Sequence, residues 1–207
     1  MYSPPAFRET RPEVLAQLVR THPLGLLITA GPGGLMANPV PFLIDDGDPP
    51  VLRAHLSRAN PQLAELAGGV PCLVVFQGPQ AYVSPAWYAT KQETGKVVPT
   101  WNYIIAQARG TAHVVEDAEW LRAQIGDLTQ ASEAGRADAW AVEDAPDAFI
   151  AAQIRGIAGV EIVVDQFAGK WKLSQNRNTA DRDGVIGGLS AQGDDAMAAA
   201  MIASSQP

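Results

Sequence analysis

Short apolar runs separated by turn residues dominate the first half of the chain. After a helix that begins behind Thr10 and ends before Pro23, the pattern predicts strands at 24–29, 35–44, 51–56, 71–76, 81–84 and 101–115. Gly, Pro and Asp clusters, such as those at 31–34 and 45–48, separate the runs. Many short strands with a single helical crossover, a short helix that starts at Asn60-Pro61, predict a small antiparallel barrel rather than alternating β–α units.

Helical spacing replaces this pattern in the second half. Apolar positions recur every three to four residues over 117–133, and a second helix is predicted over 144–157. A β-branched strand returns at 160–167 and extends over 169–175, before an Ala-rich helical tail. We therefore expect a single domain over 1–207, with inserted helices at about 117–157 and a helical tail at about 180–205. The fold class is α+β, mainly β.

Charge and composition narrow the classes of function. The 207 residues carry a net charge of −7, which argues against affinity built on a broad contact with a nucleic-acid backbone. The single cysteine, Cys72, lies in an apolar run and is expected to be a small buried hydrophobe. No signal-peptide core or run of ~20 apolar residues is present, so we expect a cytoplasmic protein without a membrane partner.

Metal-binding and catalytic motifs are not found in the sequence. The three histidines, His22, His55 and His113, have no paired spacing, and there is no Walker, GxSxG or dinucleotide fingerprint. We therefore predict no metal site and nominate no catalytic residue.

A first candidate cluster lies at 54–61, where a strand ending in Ser-Arg meets a helix start. Arg58 supplies a guanidinium, and Asn60 is placed to cap the helix before Pro61. A helix start and a forked cation are the parts of a phosphate site. An ordinary strand-to-helix turn with a solvated arginine explains the same residues.

A second cluster lies in the stretch 81–103, which is predicted to be a strand, an exposed polar loop with its mobile part at 92–95, and a second strand. Flat aromatic faces there alternate with short polar groups, as expected around a planar heteroaromatic ligand. The cluster comprises Ser84, Trp87, Tyr88, Lys91, Thr100, Trp101 and Asn102. The tryptophans could equally be core or interface residues.

A third cluster is the strand end at 169–177. Alternation places Lys170, Lys172 and Ser174 on one face, and the chain then continues through Gln175 to Arg177. Eight basic residues lie in or beside the three clusters: Arg53, Arg58, Lys91, Lys96, Lys170, Lys172, Arg177 and Arg182. In an acidic chain, this distribution predicts one local electropositive site for an anionic ligand.

Together these segments resemble the PaiB family, described as FMN-binding, split-barrel negative transcriptional regulators. The similarity is carried by MYSPPAF, ANPVPFLID, AHLSRANPQ, FQGPQAYVSPAWY, VPTWNY and GKWKLSQNR followed by DRDGVIGGL. The resemblance implies a split β-barrel related to the pyridoxamine-phosphate-oxidase group, paired as a homodimer with FMN between the subunits.

The resemblance also implies which residues bind FMN. The phosphate would lie near Arg58 and Asn60, with Lys91 a further candidate. The isoalloxazine ring would lie near Trp101 and Asn102, or near Ser84 and Trp87, with Thr100 beside them. Lys172, Gln175 and Arg177 would come from the second subunit.

Three functions remain open from the sequence. The first is a flavin-binding regulator of transcription; DNA is a partner that the acidic charge does not support. The second is an FMN-dependent oxidoreductase, so whether the chain is an enzyme is left undecided. The third is a haem- or deazaflavin-binding member of the same barrel group, in which His55 or His113 would matter.

Overall fold

Eight strands form one antiparallel sheet in a computed structural model, which describes residues 1–204. The strands are β1 (Arg8–Glu9), β2 (Leu24–Gly31), β3 (Gly34–Pro41), β4 (Leu43–Asp45), β5 (Val51–Ser57), β6 (Val70–Val83), β7 (Thr100–Val115) and β8 (Ile157–Lys172). Their order in the sheet is β3-β2-β6-β7-β8-β5-β4, and β1 pairs with the end of β8. β3 is therefore an edge strand.

Seven α-helices lie between and after the strands within residues 1–204. They are α1 (Pro12–Thr21), α2 (Gln62–Leu66), α3 (Ala89–Thr94), α4 (Ala118–Glu133), α5 (Asp147–Arg155), α6 (Thr179–Gln192) and α7 (Asp195–Ala203). Side-chain caps begin two of the longer ones, because Asp117 accepts from Trp120 N at 2.7 Å and Asn178 accepts from Asp181 N at 2.8 Å. No helix of this part of the chain has the length and hydrophobicity needed to cross a membrane.

The chain divides into two compact units. The first comprises Met1–Leu15, Gln77–Ala106 and Ala168–Pro207, and the second comprises Ala16–Phe76 and Gln107–Phe167. The three long strands β6, β7 and β8 each contribute residues to both units. The single-domain organisation expected from the sequence stays a prediction.

Buried apolar residues are found in both units. In the second unit, Phe42 and Phe76 are buried and meet edge to face, with ring centroids 5.7 Å apart. The inserted helices α4 and α5 form a cluster around Leu121 and Ile150. In the first unit, the core contains Tyr88, Leu173, Val185, Leu189 and Met197.

The helix positions predicted around 117–133 and in the tail are confirmed, although residue 205 of the predicted tail lies outside the described residues. Several boundaries differ. The predicted strands 71–76 and 81–84 are one continuous strand, β6, while the predicted strand 35–44 is divided into β3 and β4. The division falls at Phe42, whose amide donates to Pro23 O at 2.9 Å and whose ring enters the core.

The segment at 92–95 is exposed as predicted, but the predicted loop is wrong, because residues 92–94 belong to helix α3. Asp181 anchors this helix, since its carboxylate accepts from both the backbone amide and the hydroxyl of Thr90 at 2.9 Å. Gly95 then ends the helix in the left-handed region, with a φ of 65°. A 3₁₀ turn, Pro5–Phe7, precedes β1 near the N-terminus.

Candidate functional site

The centre of the candidate site in the first unit is a lysine that joins two strands. Lys172, at the end of β8, donates its Nζ protons to Thr100 Oγ1 at 2.6 Å and to the backbone carbonyl of Trp101 at the start of β7. Burial, together with the charges of Lys170 and Arg177, lowers the pKa of Lys172 below its ordinary value. Three of the residues that the sequence predicted are therefore in direct contact.

Several aromatic rings lie on the strands beside Lys172. Trp101 is 54% exposed and Tyr82 is 45% exposed, and their rings meet edge to face with centroids 5.9 Å apart. Lys170 lies over two further rings, 5.2 Å from the centroid of Tyr103 and 5.7 Å from that of Tyr2. We call this set, Tyr2, Tyr82, Trp101, Tyr103, Lys170 and Lys172, the aromatic platform.

Arg177 is held against a buried ring rather than a carboxylate. Its guanidinium carbon lies 4.7 Å from the ring centroid of Tyr88, which is 1% exposed. Burial raises the pKa of Tyr88, and the positive charge of Arg177 opposes that rise. The guanidinium of Arg177 is thus held against the Tyr88 ring, and the arginine side chain is only partly buried.

Asn102 and Gln175 are engaged within the chain. Asn102 is fully buried, and its amide donates to Ser174 Oγ at 3.0 Å. The Gln175 amide closes the turn after β8, accepting from Leu173 N at 2.7 Å and donating to Trp171 O at 2.5 Å. Ser174 lies between these two side chains and has a φ of 61° in the left-handed region.

The residues predicted at 84–91 have different surroundings. Ser84 Oγ accepts from Ala86 N at 3.2 Å and so caps a 3₁₀ turn, Pro85–Trp87. Trp87 packs on helix α6, where a methyl group added at Gly188 would lie 2.3 Å from its ring. Lys91 lies exposed on α3.

Arg58 and Asn60 belong to the second unit, where both are engaged. Arg58 Nη1 lies 2.9 and 3.0 Å from the two carboxylate oxygens of Glu116, and Arg58 Nε donates to Arg155 O at 3.0 Å. Asn60 Oδ1 accepts from Gln62 N at 3.0 Å and so covers the first free amide of α2. This helix has five residues, so its dipole offers little to an anion.

Two of the histidines lie near Arg58: His113 lines the same cavity, and His55 is on β5, the strand that precedes Arg58. His113 and Gly69 line a cavity of about 510 Å³ together with Arg58 and Glu116. His55 Nδ1 lies 2.7 Å from the side-chain oxygen of the fully buried Gln124. Within residues 1–204, no group of His, Cys, Asp or Glu could hold a metal ion.

The expected electropositive site is smaller than the sequence indicated. Arg53 lies between Asp45 and Asp127, at 2.6 and 2.9 Å, and Arg58 is paired with Glu116. Lys170, Lys172 and Arg177 lie close enough in the first unit for their charges to interact. An anion bound there would relieve this repulsion.

The sequence-based cluster missed Tyr82, Tyr103 and Tyr2. Alternation along β7 places Trp101 and Tyr103 on one face and Asn102 on the other, so the strand period carried a signal for Tyr103. Tyr82 has the same signal on β6. Tyr2 has none, because it precedes the first strand and meets Lys170 only in the folded chain.

Comparison with known proteins agrees with the sequence resemblance. A family model described as "Putative FMN-binding domain" matches residues 1–166. An uncharacterized protein of Emericella nidulans is 36% identical over 95% of this chain and 93% of its own length. "Protease synthase and sporulation protein PAI 2" of Bacillus subtilis is 30% identical over 90% of this chain and 87% of its own length. The resemblance to the PaiB family is confirmed.

The fold is also found among solved structures. The FAD and heme binding protein from Mycobacterium smegmatis has a TM-score of 0.62 at 21% identity, covering 85% of this chain and 78% of that protein. The eight-stranded sheet with seven helices described within residues 1–204 therefore has the flavin-binding split-barrel fold, as predicted from the sequence.

The aromatic platform has the chemistry that a flavin requires. A flavin is planar and carries carbonyl and ring-nitrogen acceptors, and FMN adds a phosphate dianion. Trp101 and Tyr82 offer exposed apolar faces, while Lys170, Lys172 and Arg177 offer positive charge to the acceptors. The residues present in the first unit therefore fit this group.

Proposed function

Because this chain belongs to the family described as "Putative FMN-binding domain", we propose that it is an FMN-binding homodimeric regulatory protein that acts as a negative transcriptional regulator. FMN is the cofactor of this family, in agreement with the sequence prediction. The homodimer and the regulatory role are the parts that go beyond family membership.

One observation carries the proposed position of the flavin: an exposed tryptophan next to a lysine of lowered pKa. Trp101 supplies a stacking face at 54% exposure, and Lys172 is bound to the carbonyl of that same residue. Ser84 and Trp87 form the alternative ring contact. Between the two tryptophans, we favour Trp101 as the stacking residue because the ring of Trp87 is already packed on α6.

Different residues of this chain would bind the ring and the phosphate of FMN. Thr100 and Lys172 would orient the ring edge, while Asn102 and Gln175 bind within the turn that follows Lys172. Arg177 would supply a further positive charge. For the phosphate, Arg58 with Asn60 is one candidate and the exposed Lys91 is another. Bound FMN would supply electron or hydride transfer, and the protein would decide which partner molecules reach it.

The regulatory role is supported by the Bacillus subtilis relative. It is called "Protease synthase and sporulation protein PAI 2", and the similarity extends over 90% of this chain. The net charge of −7 favours action through a partner over a wide contact with DNA. A flavin-bound dimer would then change its affinity for that partner when its ligand state changes.

An FMN-dependent oxidoreductase of the pyridoxamine-phosphate-oxidase-like group is the second candidate. The exposure of Trp101 and Tyr82 favours it, because an open platform leaves room for a reductant or substrate beside the flavin. The protein side chains would then bind and orient the substrate, since the flavin itself transfers the hydride.

Two measurements on the purified full chain and one in a host cell test the proposal. We expect a flavin absorbance that stays with the protein, or returns when FMN is added. We also expect slow NAD(P)H oxidation with FMN present, together with repression of a reporter gene on expression in a host cell. Rapid NAD(P)H turnover without repression would support the oxidoreductase instead, and a chain that binds no FMN would overturn both.

A gel-shift assay with promoter DNA at two salt concentrations identifies the route of regulation. We expect no shift at physiological salt in the absence of a partner protein, because a wide phosphate contact needs a basic surface. A shift that weakens steeply with salt would show direct DNA binding and contradict the partner route.

A further inference from the structure

A cavity of about 610 Å³ lies in the second unit, between the C-terminal half of α4 and the segment at 134–143 that follows this helix. Its volume is in the range that holds a small organic molecule. Every residue that lines it comes from the stretch 126–143, and none of them is among the residues proposed above for flavin binding. The proposed function therefore leaves this cavity unused.

Trp140 supplies an aromatic wall of the cavity, and its side chain is 46% exposed. The backbone on either side of the ring is fixed, because Trp140 N donates to the carboxylate of Glu133 at 3.3 Å and Ala141 N donates to that of Asp144 at 2.9 Å. Val142 is 3% exposed and packs in the core cluster of α4 and α5. The ring thus lies beside the cavity on a fixed backbone and is not itself a core residue.

Gly126 lines the cavity from the interior of α4. Glycine is a poor helix former, so a glycine inside a helix needs a reason. At Gly159 the reason is a close neighbour, since a methyl group there would lie 2.4 Å from the ring of Trp120. A methyl group at Gly126 would meet nothing within 4 Å. Contacts within the described chain do not require this glycine, whereas a ligand that approaches the helix backbone would.

The charged groups of the cavity wall are carboxylates. Glu133 and Glu143 line it, and no Lys or Arg is found among the lining residues of 126–143. Glu143 has no hydrogen-bond or ion-pair partner within residues 1–204, and Glu133 is paired with Arg136 at a longer 3.5 Å. An aromatic face attracts a cation, and carboxylates bind ammonium groups by charge-assisted hydrogen bonds. The wall is therefore suited to a positively charged ligand.

We propose that this cavity binds a small organic cation, in which an ammonium group is carried on an apolar body. The ammonium group lies over the Trp140 ring and beside Glu133 and Glu143, and the apolar body fills the space next to Gly126. A metal ion does not meet this description, because no group of His, Cys, Asp or Glu within residues 1–204 could hold one. The inference goes beyond the proposed function, since it gives the chain a second ligand, with a charge opposite to that of FMN.

Calorimetric titration of the purified full chain tests the class of ligand. The probes are choline, butylamine and dimethylbutanol, the last of which is the uncharged isostere of choline. We expect saturable one-to-one binding of choline or butylamine, and binding of dimethylbutanol at least ~10-fold weaker than that of choline. Equal affinities for choline and dimethylbutanol would overturn the proposal, and so would the absence of saturable binding by both amines.

Substitutions in the cavity wall test the position of the site. Trp140→Ala should weaken cation binding at least ~10-fold, because it removes the ring. Gly126→Leu should weaken it to a similar extent by filling the cavity, and its melting temperature should be no lower than that of the wild type because leucine is the better helix former. Glu143→Gln should weaken it ~3-fold, as expected for a partly exposed charge pair. The matched control is Glu119→Gln, at an exposed acidic position in the first turn of α4, which should bind as the wild type does.

The pattern among these variants decides the assignment. Unchanged affinity in both Trp140→Ala and Gly126→Leu would show that the cation binds elsewhere and would overturn the proposal. If Gly126→Leu does not fold, the comparison of Trp140→Ala and Glu143→Gln with the Glu119→Gln control decides alone. Titration of the wild type with FMN is a separate measurement, so a chain that binds the cation but not FMN would overturn the flavin function and leave this inference intact.

Discussion

The Arg58 guanidinium is held by Glu116, with Nη1 2.9 and 3.0 Å from the two carboxylate oxygens. Arg58 is the residue that the sequence proposed for phosphate binding. An anion at this position would have to displace a carboxylate, or add to a pair that is already neutral. The pair is partly solvent-exposed, at 40% and 65% for the two side chains, so such displacement is inexpensive.

Two opposite substitutions determine whether Arg58 binds the FMN phosphate. If it does, Arg58→Ala should weaken FMN binding by ~10- to 100-fold, because a charge-assisted hydrogen bond contributes about 1.5–3 kcal/mol. Glu116→Gln should strengthen binding, because it removes the competing carboxylate. Fluorescence titration measures both. Unchanged affinity in both variants would place the phosphate elsewhere.

Lys172→Met should weaken FMN binding by ~10- to 100-fold, since it removes one charge-assisted contact from the platform. The exposed Lys96 provides the control, and Lys96→Met should bind as the wild type does. Near-ultraviolet circular dichroism must show that β7 keeps its packing without the bond from Lys172 to Thr100. Equal affinities for the two variants would contradict a role for Lys172.

The pH dependence of binding gives an independent test of the same residue. The pKa of Lys172 is lowered, so its charge is lost below the ordinary lysine value of 10.5 as pH rises. The ratio of wild-type to Lys172→Met affinity should therefore decline before pH 10.5 is reached. Taking the ratio cancels any titration of FMN itself. A ratio that is constant over this range would show that the ammonium is not used.

The sequence predicted most of the strands but not which side chains of the candidate site share a face. Trp101 and Asn102 were assigned to one ligand cluster, yet adjacent strand residues point to opposite faces. The structure accordingly exposes Trp101 by 54% and buries Asn102 completely. Strand periodicity contained this distinction, whereas a cluster defined by composition did not.

Contacts between residues that are far apart in the sequence could not be predicted. Glu116 is 58 positions from Arg58, and nothing local indicates that it neutralises the arginine. Trp87 likewise meets Gly184 and Gly188, which come from the other end of the chain.

Cys72 should resist thiol reagents in the native protein. Burial, and to a smaller degree the charge of Asp165, raises the pKa of its thiol from an ordinary 9.0 to about 11. This lowers the thiolate fraction at pH 8 by ~100-fold, and the side chain is also inaccessible. A disulfide-exchange dye should therefore label the unfolded chain within minutes and the native chain at least ~100-fold more slowly. Rapid stoichiometric labelling of the native protein would contradict the burial.

Glu9 should give the first unit a pH-dependent stability. Its carboxylate accepts from Arg11 Nη2 at 2.6 Å and from the amides of Thr10 and Arg11 at 3.0 and 2.9 Å. The hydrogen bond from the Arg11 side chain is the main cause that lowers the pKa of Glu9 below 4.5. Its contribution is therefore present above pH 4.5 and is lost as pH falls through the lowered pKa.

Denaturant unfolding at several pH values measures this contribution. Glu9→Gln should lower the free energy of unfolding by about 1–2 kcal/mol at pH 7, and the difference from the wild type should shrink as pH falls below 4.5. Glu93→Gln, at an exposed position on α3, serves as the control and should be within about 0.5 kcal/mol of the wild type. A deficit that persists unchanged at low pH would indicate lost packing instead of a lost charge.

Two neighbouring glycines of α6 test whether Trp87 is a structural residue. A methyl group at Gly188 would lie 2.3 Å from the Trp87 ring, whereas a methyl group at Gly187 would meet nothing within 4 Å. Gly188→Ala should therefore lower the free energy of unfolding by about 1–3 kcal/mol through overpacking. Gly187→Ala should raise it by up to about 1 kcal/mol, because alanine is the better helix former. Equal effects would show that Trp87 leaves α6 in solution, and its ring would then be available to stack on the flavin.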